Sequence, residues 1–187
     1  MNRGIVEKNQ LYYRKRIRFI LKELSFQGKS ILDLGCGEFV LLDELDRDII
    51  KSYVGIDSIP FSSMRYPEVK FICKDILEYG NSINDKYDII FCLGVLDHMD
   101  KDKQENLLDI YKNRCNDYMV ISLANWVNPI INLIIPKEEP CIKLHIEKKL
   151  YLIKIPKTQF VFNISSLKPL RRFIATEIIY FLTAKKD

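Results

Sequence analysis

Residues 29–39, Lys-Ser-Ile-Leu-Asp-Leu-Gly-Cys-Gly-Glu-Phe, limit what this chain can fold into more than any other stretch. A short apolar run, Ile31 and Leu32, meets an acid, Asp33, and then a tight Gly-x-Gly turn, Gly35-Cys36-Gly37. Val40, Leu41, Leu42 and Leu45 follow at helical spacing. A buried strand, a glycine turn and a helix, in that order, open a nucleotide-binding βα unit. Glycine turns the backbone sharply and lets a ligand approach with no side chain in the way. The helix that follows presents unpaired N–H groups at the same place.

The turn departs from the dinucleotide form. A G-x-G-x-x-G loop needs a third glycine at position 40, which is Val40. An acid directly before the glycines would repel a pyrophosphate and suits a ligand that carries a cation. The rest of the chain continues the pattern. A short strand, Tyr53 to Ile56, ends on Asp57, about two dozen positions after Asp33, where a βαβ unit of this kind places a carboxylate against ribose hydroxyls. Pro60 and Pro67 bracket a loop or short helix. A third strand, Val69 to Cys73, leads into Lys74-Asp75-Ile76, with Asp75 placed to cap a helix. Tyr87 to Leu93 is the clearest strand and meets Gly94. Lys101 to Asn113 has helical spacing, and Tyr118 to Leu123 reads as a fifth strand. Four strand-then-helix units closed by a fifth strand predict an α/β fold with a doubly wound, mostly parallel sheet.

The phrase Ile31-Leu32-Asp33-Leu34-Gly35-Cys36-Gly37 resembles the first motif of the class I (Rossmann-like) S-adenosylmethionine (SAM) methyltransferases, and Gly94-Val95-Leu96-Asp97-His98-Met99 resembles the loop after their fourth strand. The likeness covers Ser30 to Leu123 well and the tail loosely. It implies SAM as cofactor and S-adenosylhomocysteine (SAH) as product. On the same basis, Gly35, Cys36 and Gly37 would meet the methionine part by their backbone. Asp33 would lie beneath it and favour the ammonium. Asp57, with Ser58 beside it, would accept from the ribose hydroxyls. Asp75 would face the adenine amino group while Ile76 packs on the ring, and Leu93 and Gly94 would line the floor. His98 is a candidate base or substrate contact, or else a packing residue at a helix start; Asp97 orients a substrate amine or caps the next segment. Phe39 stands where this motif often has glycine.

At 187 residues the chain reads as a single domain: an N-terminal helix (1–28), the SAM-binding core (29–124), a variable substrate or lid region (125–164), and a final helix and strand (165–187). Within the first part, Gln10 to Leu24 has one apolar face, Leu11, Ile17, Ile20, Leu21 and Leu24, with Arg14, Lys15, Arg18 and Lys22 elsewhere. Such a basic surface serves RNA or a membrane, or is simply solvated. Tyr12 and Tyr13 pack, or reach over a sulfonium by cation–π attraction. In the tail, Asn125 to Pro140 reads as loop. Lys149 to Ile155 and Gln159 to Ile164 predict a β-hairpin turning at Pro156-Lys157-Thr158, a lid or homodimer surface. Its Lys148, Lys149, Lys154 and Lys157 suit an acidic substrate or guard a strand edge against aggregation. Ser165 to Phe173 reads as a helix, and Ile174 to Ala184 as a last, antiparallel strand. His145 is expected at the surface. Asn128-Pro129 lacks the second proline and the aromatic of the amino-methylase motif and follows the wrong strand.

A net charge of +4 falls short of a strong nucleic-acid signal. Five cysteines with no C-x-x-C argue against a disulfide scaffold or a metal site and for a reducing, cytoplasmic setting. The start of the chain does not read as a signal peptide, and no apolar run reaches the roughly 18 residues of a membrane span. The sequence thus predicts a SAM-dependent methyltransferase with a small-molecule acceptor. The alternatives are an RNA methyltransferase and a methyltransferase-like scaffold subunit without catalysis. A nicotinamide-dependent oxidoreductase is disfavoured by Asp33 and Val40.

Overall fold

Runs rich in Ile, Val, Tyr and Phe become strands where glycine turns and caps separate them, and five such runs build the parallel part of the sheet. They are β1 (Ser30–Leu34), β2 (Ser52–Asp57), β3 (Lys70–Cys73), β4 (Tyr87–Leu93) and β5 (Cys115–Ala124). The computed structural model describes residues 13, 14, 16–60, 66–124, 152–159 and 177–183. Two further strands, β6 (Leu152–Gln159) and β7 (Glu177–Thr183), complete a seven-stranded sheet in the order β3-β2-β1-β4-β5-β7-β6. β7 runs antiparallel to β5, so the sheet is mostly parallel with an antiparallel C-terminal strand. β1 pairs in parallel with both β2 and β4, and the winding reverses beside it. In open α/β sheets the crevice at such a reversal, at the carboxyl ends of the strands, is where ligands bind.

The helices are α1 (described at residues 13, 14 and 16–21), α2 (Val40–Glu44), α3 (Ile76–Ser82) and α4 (Lys101–Lys112). Side chains alternate across a strand, and the core divides accordingly. On one face Ile31, Tyr53, Ile89, Phe91, Val120, Ile179 and Phe181 pack with Ile17 and Ile20 of α1 and Leu41 and Leu42 of α2. On the other, Leu32, Leu34, Val54, Ile56, Ile90, Cys92, Met119 and Ile121 pack with α3 and α4.

Charge ties α1 to α2. Arg14 reaches Asp43 and Glu44, each at 2.7 Å, and Arg18 reaches Glu44 at 2.5 Å. The Tyr66 hydroxyl donates to Asp43 as well. The side chain of Asp43 is only 4% exposed, so its charge depends on these partners. Arg14→Met is expected to lower stability by about 1–2 kcal/mol, less than for a fully buried pair because Arg14 itself is partly solvated. Thermal unfolding at low and high salt measures it, and an unchanged melting temperature at low salt would reject it.

The structure corrects several expectations. The hairpin turn at Pro156 is absent: residues 152–159 form one continuous strand, and the register on β7 slips between Lys154 and Lys157. Two residues, Ile155 and Pro156, there oppose a single β7 position, a bulge. Proline has no N–H for a ladder, and an edge strand with a bulge is where a sheet tolerates it. The expected second strand, 160–164, lies outside the described residues, as do 125–151, the helix expected at 165–173, Tyr12, Lys148, Lys149 and His145. β5 begins at Cys115, three residues before the alternation becomes clear.

Among the described residues no helix is long and apolar enough to cross a membrane, and no His/Cys/Asp/Glu group could hold a metal. Cys36, Cys92 and Cys115 are buried and Cys73 is exposed, all as free thiols.

Candidate functional site

The glycine turn is fixed from β2. The N–H groups of Gly35 and Cys36 both donate to the Ile56 carbonyl, at 2.8 and 3.0 Å, and that of Gly37 donates to Asp57 Oδ2 at 3.0 Å. Gly35 and Gly37 have φ of +72° and +51°, a region that favours glycine. The next positive φ is at Phe39, +62°, so Phe39 holds a conformation that a glycine there would adopt freely. Its ring packs against Tyr53, Tyr66 and Phe71 at centroid distances of 6.2, 6.1 and 5.8 Å.

Beside this turn a cavity of about 290 Å³ opens at the carboxyl ends of β1 to β4, lined by Gly35, Asp57, Ser58, Asp75, Ile76, Gly94, Val95, His98 and Met99. That is near the lower end of the ~300–1,000 Å³ of ligand pockets. Of the residues singled out in the sequence, the structure brings Gly35, Asp57, Ser58, Asp75, Ile76, Gly94 and His98 together on its walls. Asp33, Cys36, Gly37 and Leu93 are not among the lining residues. Asp33 lies beneath the turn, 4% exposed. The Cys36 thiol is turned back toward Gly55, and burial raises its pKa far above the ordinary thiol range. Leu93 is part of the packing on the α1–α2 face.

Asp57 accepts through Oδ2 from Gly37 and through Oδ1 from the Ile59 N–H, at 3.0 Å each. Each carboxylate oxygen has two lone pairs, so one on each remains for a ligand. Asp75 caps α3 as expected, taking the Leu77 and Glu78 N–H groups at 2.9 and 3.1 Å, both through Oδ1. His98 sits on a 3-10 turn, Leu96–His98, at the rim.

By whole-residue exposure, Arg16, Asp33 and Ser122 are buried polar residues among those described. All three belong to this end of the sheet. Asp33 Oδ2 accepts from the Tyr53 hydroxyl at 2.5 Å. Ser122 Oγ accepts from the Gly94 N–H at 2.8 Å and from Arg16 at 3.3 Å. Arg16 is 4% exposed, its guanidinium lies against the Tyr13 ring at 4.9 Å, and its terminal nitrogens come close to Gly94. Tyr13 therefore has Arg16 as its cation. Burial pushes the Asp33 carboxyl up to about 6, although Tyr53 and the positive charge of Arg16 pull it down. A group raised in this way favours the folded chain most when protonated. Its contribution to stability is full below about pH 4 and is lost as the pH rises through about 6.

Sequence reasoning missed Arg16. The signal was present: it lies four residues before Ile20, on the helical face that carries the buried residues, where a charge is costly unless something receives it.

Comparison with known proteins agrees on one class. A family model described as a methyltransferase domain matches residues 5–128. A tRNA U34 carboxymethyltransferase of Sulfurimonas denitrificans is 28% identical over 165 residues, 83% of this chain and 52% of that protein. A mitochondrial ubiquinone biosynthesis O-methyltransferase of Schizosaccharomyces pombe is 26% identical over 52% of this chain and 38% of its own length. The chain thus spans about half the length, or less, of these curated relatives. In structure, the magnesium protoporphyrin IX methyltransferase of Synechocystis PCC 6803, solved with bound SAM, superposes with a TM-score of 0.67 over 95% of this chain and 80% of that one, at 14% identity. The N-methyltransferase NodS of Bradyrhizobium japonicum WM9 gives 0.67 over 94% and 97%, at 16% identity. At these identities the two superpositions establish the fold.

Proposed function

This chain belongs to the methyltransferase-domain family, class I and SAM-dependent, and we propose that it transfers the methyl group of SAM to a small-molecule acceptor. The observation that carries the reading is the pair of acids, Asp33 and Asp57, at the Gly35–Gly37 turn, Asp57 bonded to the Gly37 N–H and Asp33 buried. The donor set fits the cofactor: two open acceptor positions on Asp57 for a vicinal diol, Asp75 and buried Ile76 for adenine, and a buried acid and a buried cation for an amino-acid end. Asp33 balances the ammonium and Arg16 the carboxylate. The Gly94 backbone forms the floor, and Ser122 keeps Arg16 and Gly94 in register.

SAM, when bound, supplies an electrophilic methyl group for direct displacement. The chain's work is then orientation, which contributes several kcal/mol when reacting atoms are held in line. A base is needed only where the acceptor starts protonated, and His98, at the rim, is the residue placed to take that proton.

Asp33 makes binding depend on pH. The ligand ammonium favours the ionised acid, so SAH affinity is expected to rise between about pH 5 and 7 and to level off above it, by up to about tenfold per unit below the pKa. Asp33→Asn should flatten that profile. Calorimetric titration of SAH across pH tests both, and a wild-type profile that stays flat would remove Asp33 from the ammonium site.

The basic face of α1 supports the small-molecule reading, because Arg14 and Arg18 are directed onto Asp43 and Glu44. The relative named as a tRNA U34 carboxymethyltransferase supports a second reading, RNA as the acceptor. A further basic stretch that could hold RNA, Lys168 to Arg172, lies outside the described residues. Incubation with labelled SAM and either a metabolite extract or bulk RNA separates the two. Label in RNA, with retention that falls steeply as salt rises, would replace the first reading by the second. An inability to bind SAM or SAH at all would leave a scaffold subunit.

A further inference from the structure

We propose that Gln104 is a positioning residue for the acceptor side of the site, holding the turn that carries His98 and Met99 through two hydrogen bonds from one amide nitrogen. The proposal rests on the functional reading above only for what the turn faces. Gln104 Nε2 donates to the Leu96 carbonyl at 2.8 Å and to the Met99 carbonyl at 2.9 Å. Both partners are acceptors, so the nitrogen must point that way. These two carbonyls bracket His98. The turn has its own bonds, His98 N–H to Val95 O at 3.1 Å and Met99 N–H to Leu96 O at 3.0 Å, but three residues of 3-10 helix make a weak element by themselves. Its inner end is fixed by Leu96, which is fully buried. Its outer end, which lines the cavity, has Gln104.

The placement on α4 is specific. Asp100 is the cap, accepting from the Lys103 N–H at 2.9 Å, and Gln104 is one position beyond the residue that would reach back to a cap. Its side chain passes the cap and closes on the preceding turn. A neutral amide is the right group here. An ionised carboxylate of nearly the same shape would face two carbonyl oxygens and be repelled, and a hydrocarbon of the same length would leave both carbonyls unanswered.

Two variants test this, Gln104→Met and Gln104→Glu. In ligand-free protein, hydrogen-exchange protection of the His98 and Met99 amides should fall about tenfold in Gln104→Met, while the buried stretch of α4 around Leu107 and Leu108 keeps its protection. Gln104→Glu should lose the same protection near pH 8 and regain part of it near pH 5, where a protonated side chain can again donate. The chain has two histidines, so the imidazole resonance of His98 can be followed once His145→Asn has identified the other. With saturating SAH, its ligand-induced shift should be reduced by at least about half in Gln104→Met. Wild-type protection at His98 and Met99 in both variants would overturn the proposal, as would the same loss in Gln104→Glu at both pH values. If wild-type protein shows no SAH-induced change, the cofactor reading has failed, and the exchange experiment still decides the clamp.

Discussion

Replacing Asp57 by alanine is expected to weaken SAH binding about 100-fold or more, and to lower the melting temperature of the ligand-free protein by a few degrees because the Gly37 and Ile59 N–H groups lose their acceptor. Two charge-assisted hydrogen bonds to a diol are worth roughly 1.5 kcal/mol each, or about 3 kcal/mol together, which is two decades in Kd. The variant also releases the Gly37 N–H, which Asp57 now holds at 3.0 Å, so the turn itself loosens where the methionine part would lie. Asp57→Asn should fall between wild type and alanine, because the amide keeps one acceptor and sets a donor against either the turn or the ligand. Calorimetric titration of SAH measures all three. An alanine variant within about threefold of wild type would remove Asp57 from the site and with it the main support for the cofactor's orientation.

The largest effect on stability is expected at Phe39 and Gly55, which act as one unit. Phe39 is the non-glycine residue with a positive φ among those described, and its ring occupies the space above Gly55. A Cβ added to Gly55 would stand 2.6 Å from Phe39 Cε1 and 2.9 Å from Cys36 Sγ. The ring is held by Tyr53, Tyr66 and Phe71 and has nowhere to go. Gly55→Ala should therefore cost about 2–3 kcal/mol by overpacking. Phe39→Gly relieves about 1 kcal/mol of backbone strain and loses about 3–5 kcal/mol of buried ring, a net loss near 3 kcal/mol. For a chain of this size that is roughly 6–12 °C in Tm. The double variant should be less damaged than the sum of the two, since removing the ring makes room for the methyl group, and a cycle of unfolding free energies measures that coupling. Strict additivity would show that the two residues do not share the space.

These two sites also show where sequence reasoning reaches and where it stops. Asp57 was legible because a strand, its length and a carboxylate at a set distance from a glycine turn are all local facts. Gly35 and Asp75 were legible for the same reason. Phe39 could be noticed as an odd residue, but the pairing with Gly55 depends on which strand lies beneath it. Arg16 was passed over because a buried cation breaks a helix pattern that is read for its apolar face, and Ser122 and Gly94 are more than seventy positions away. Pro156 reads as a turn because proline usually ends a strand; on an edge with a bulge it does not have to. Gln104 carried no signal at all, since its meaning lies in two backbone carbonyls of the preceding loop.

The division of the core has a consequence for how this molecule can change. The buried charged residues among those described, Arg16 and Asp33, lie with Ser122 on the side of α1 and α2, while the layer beneath α3 and α4 is apolar and aromatic, its buried polar atoms including the hydroxyls of Tyr79, Tyr87 and Tyr111. The sheet is a party wall. Repacking on the α1–α2 side of it moves the charges beneath the turn, and the same exercise on the other reshapes the wall that Ile76, Val95 and Met99 give the cavity.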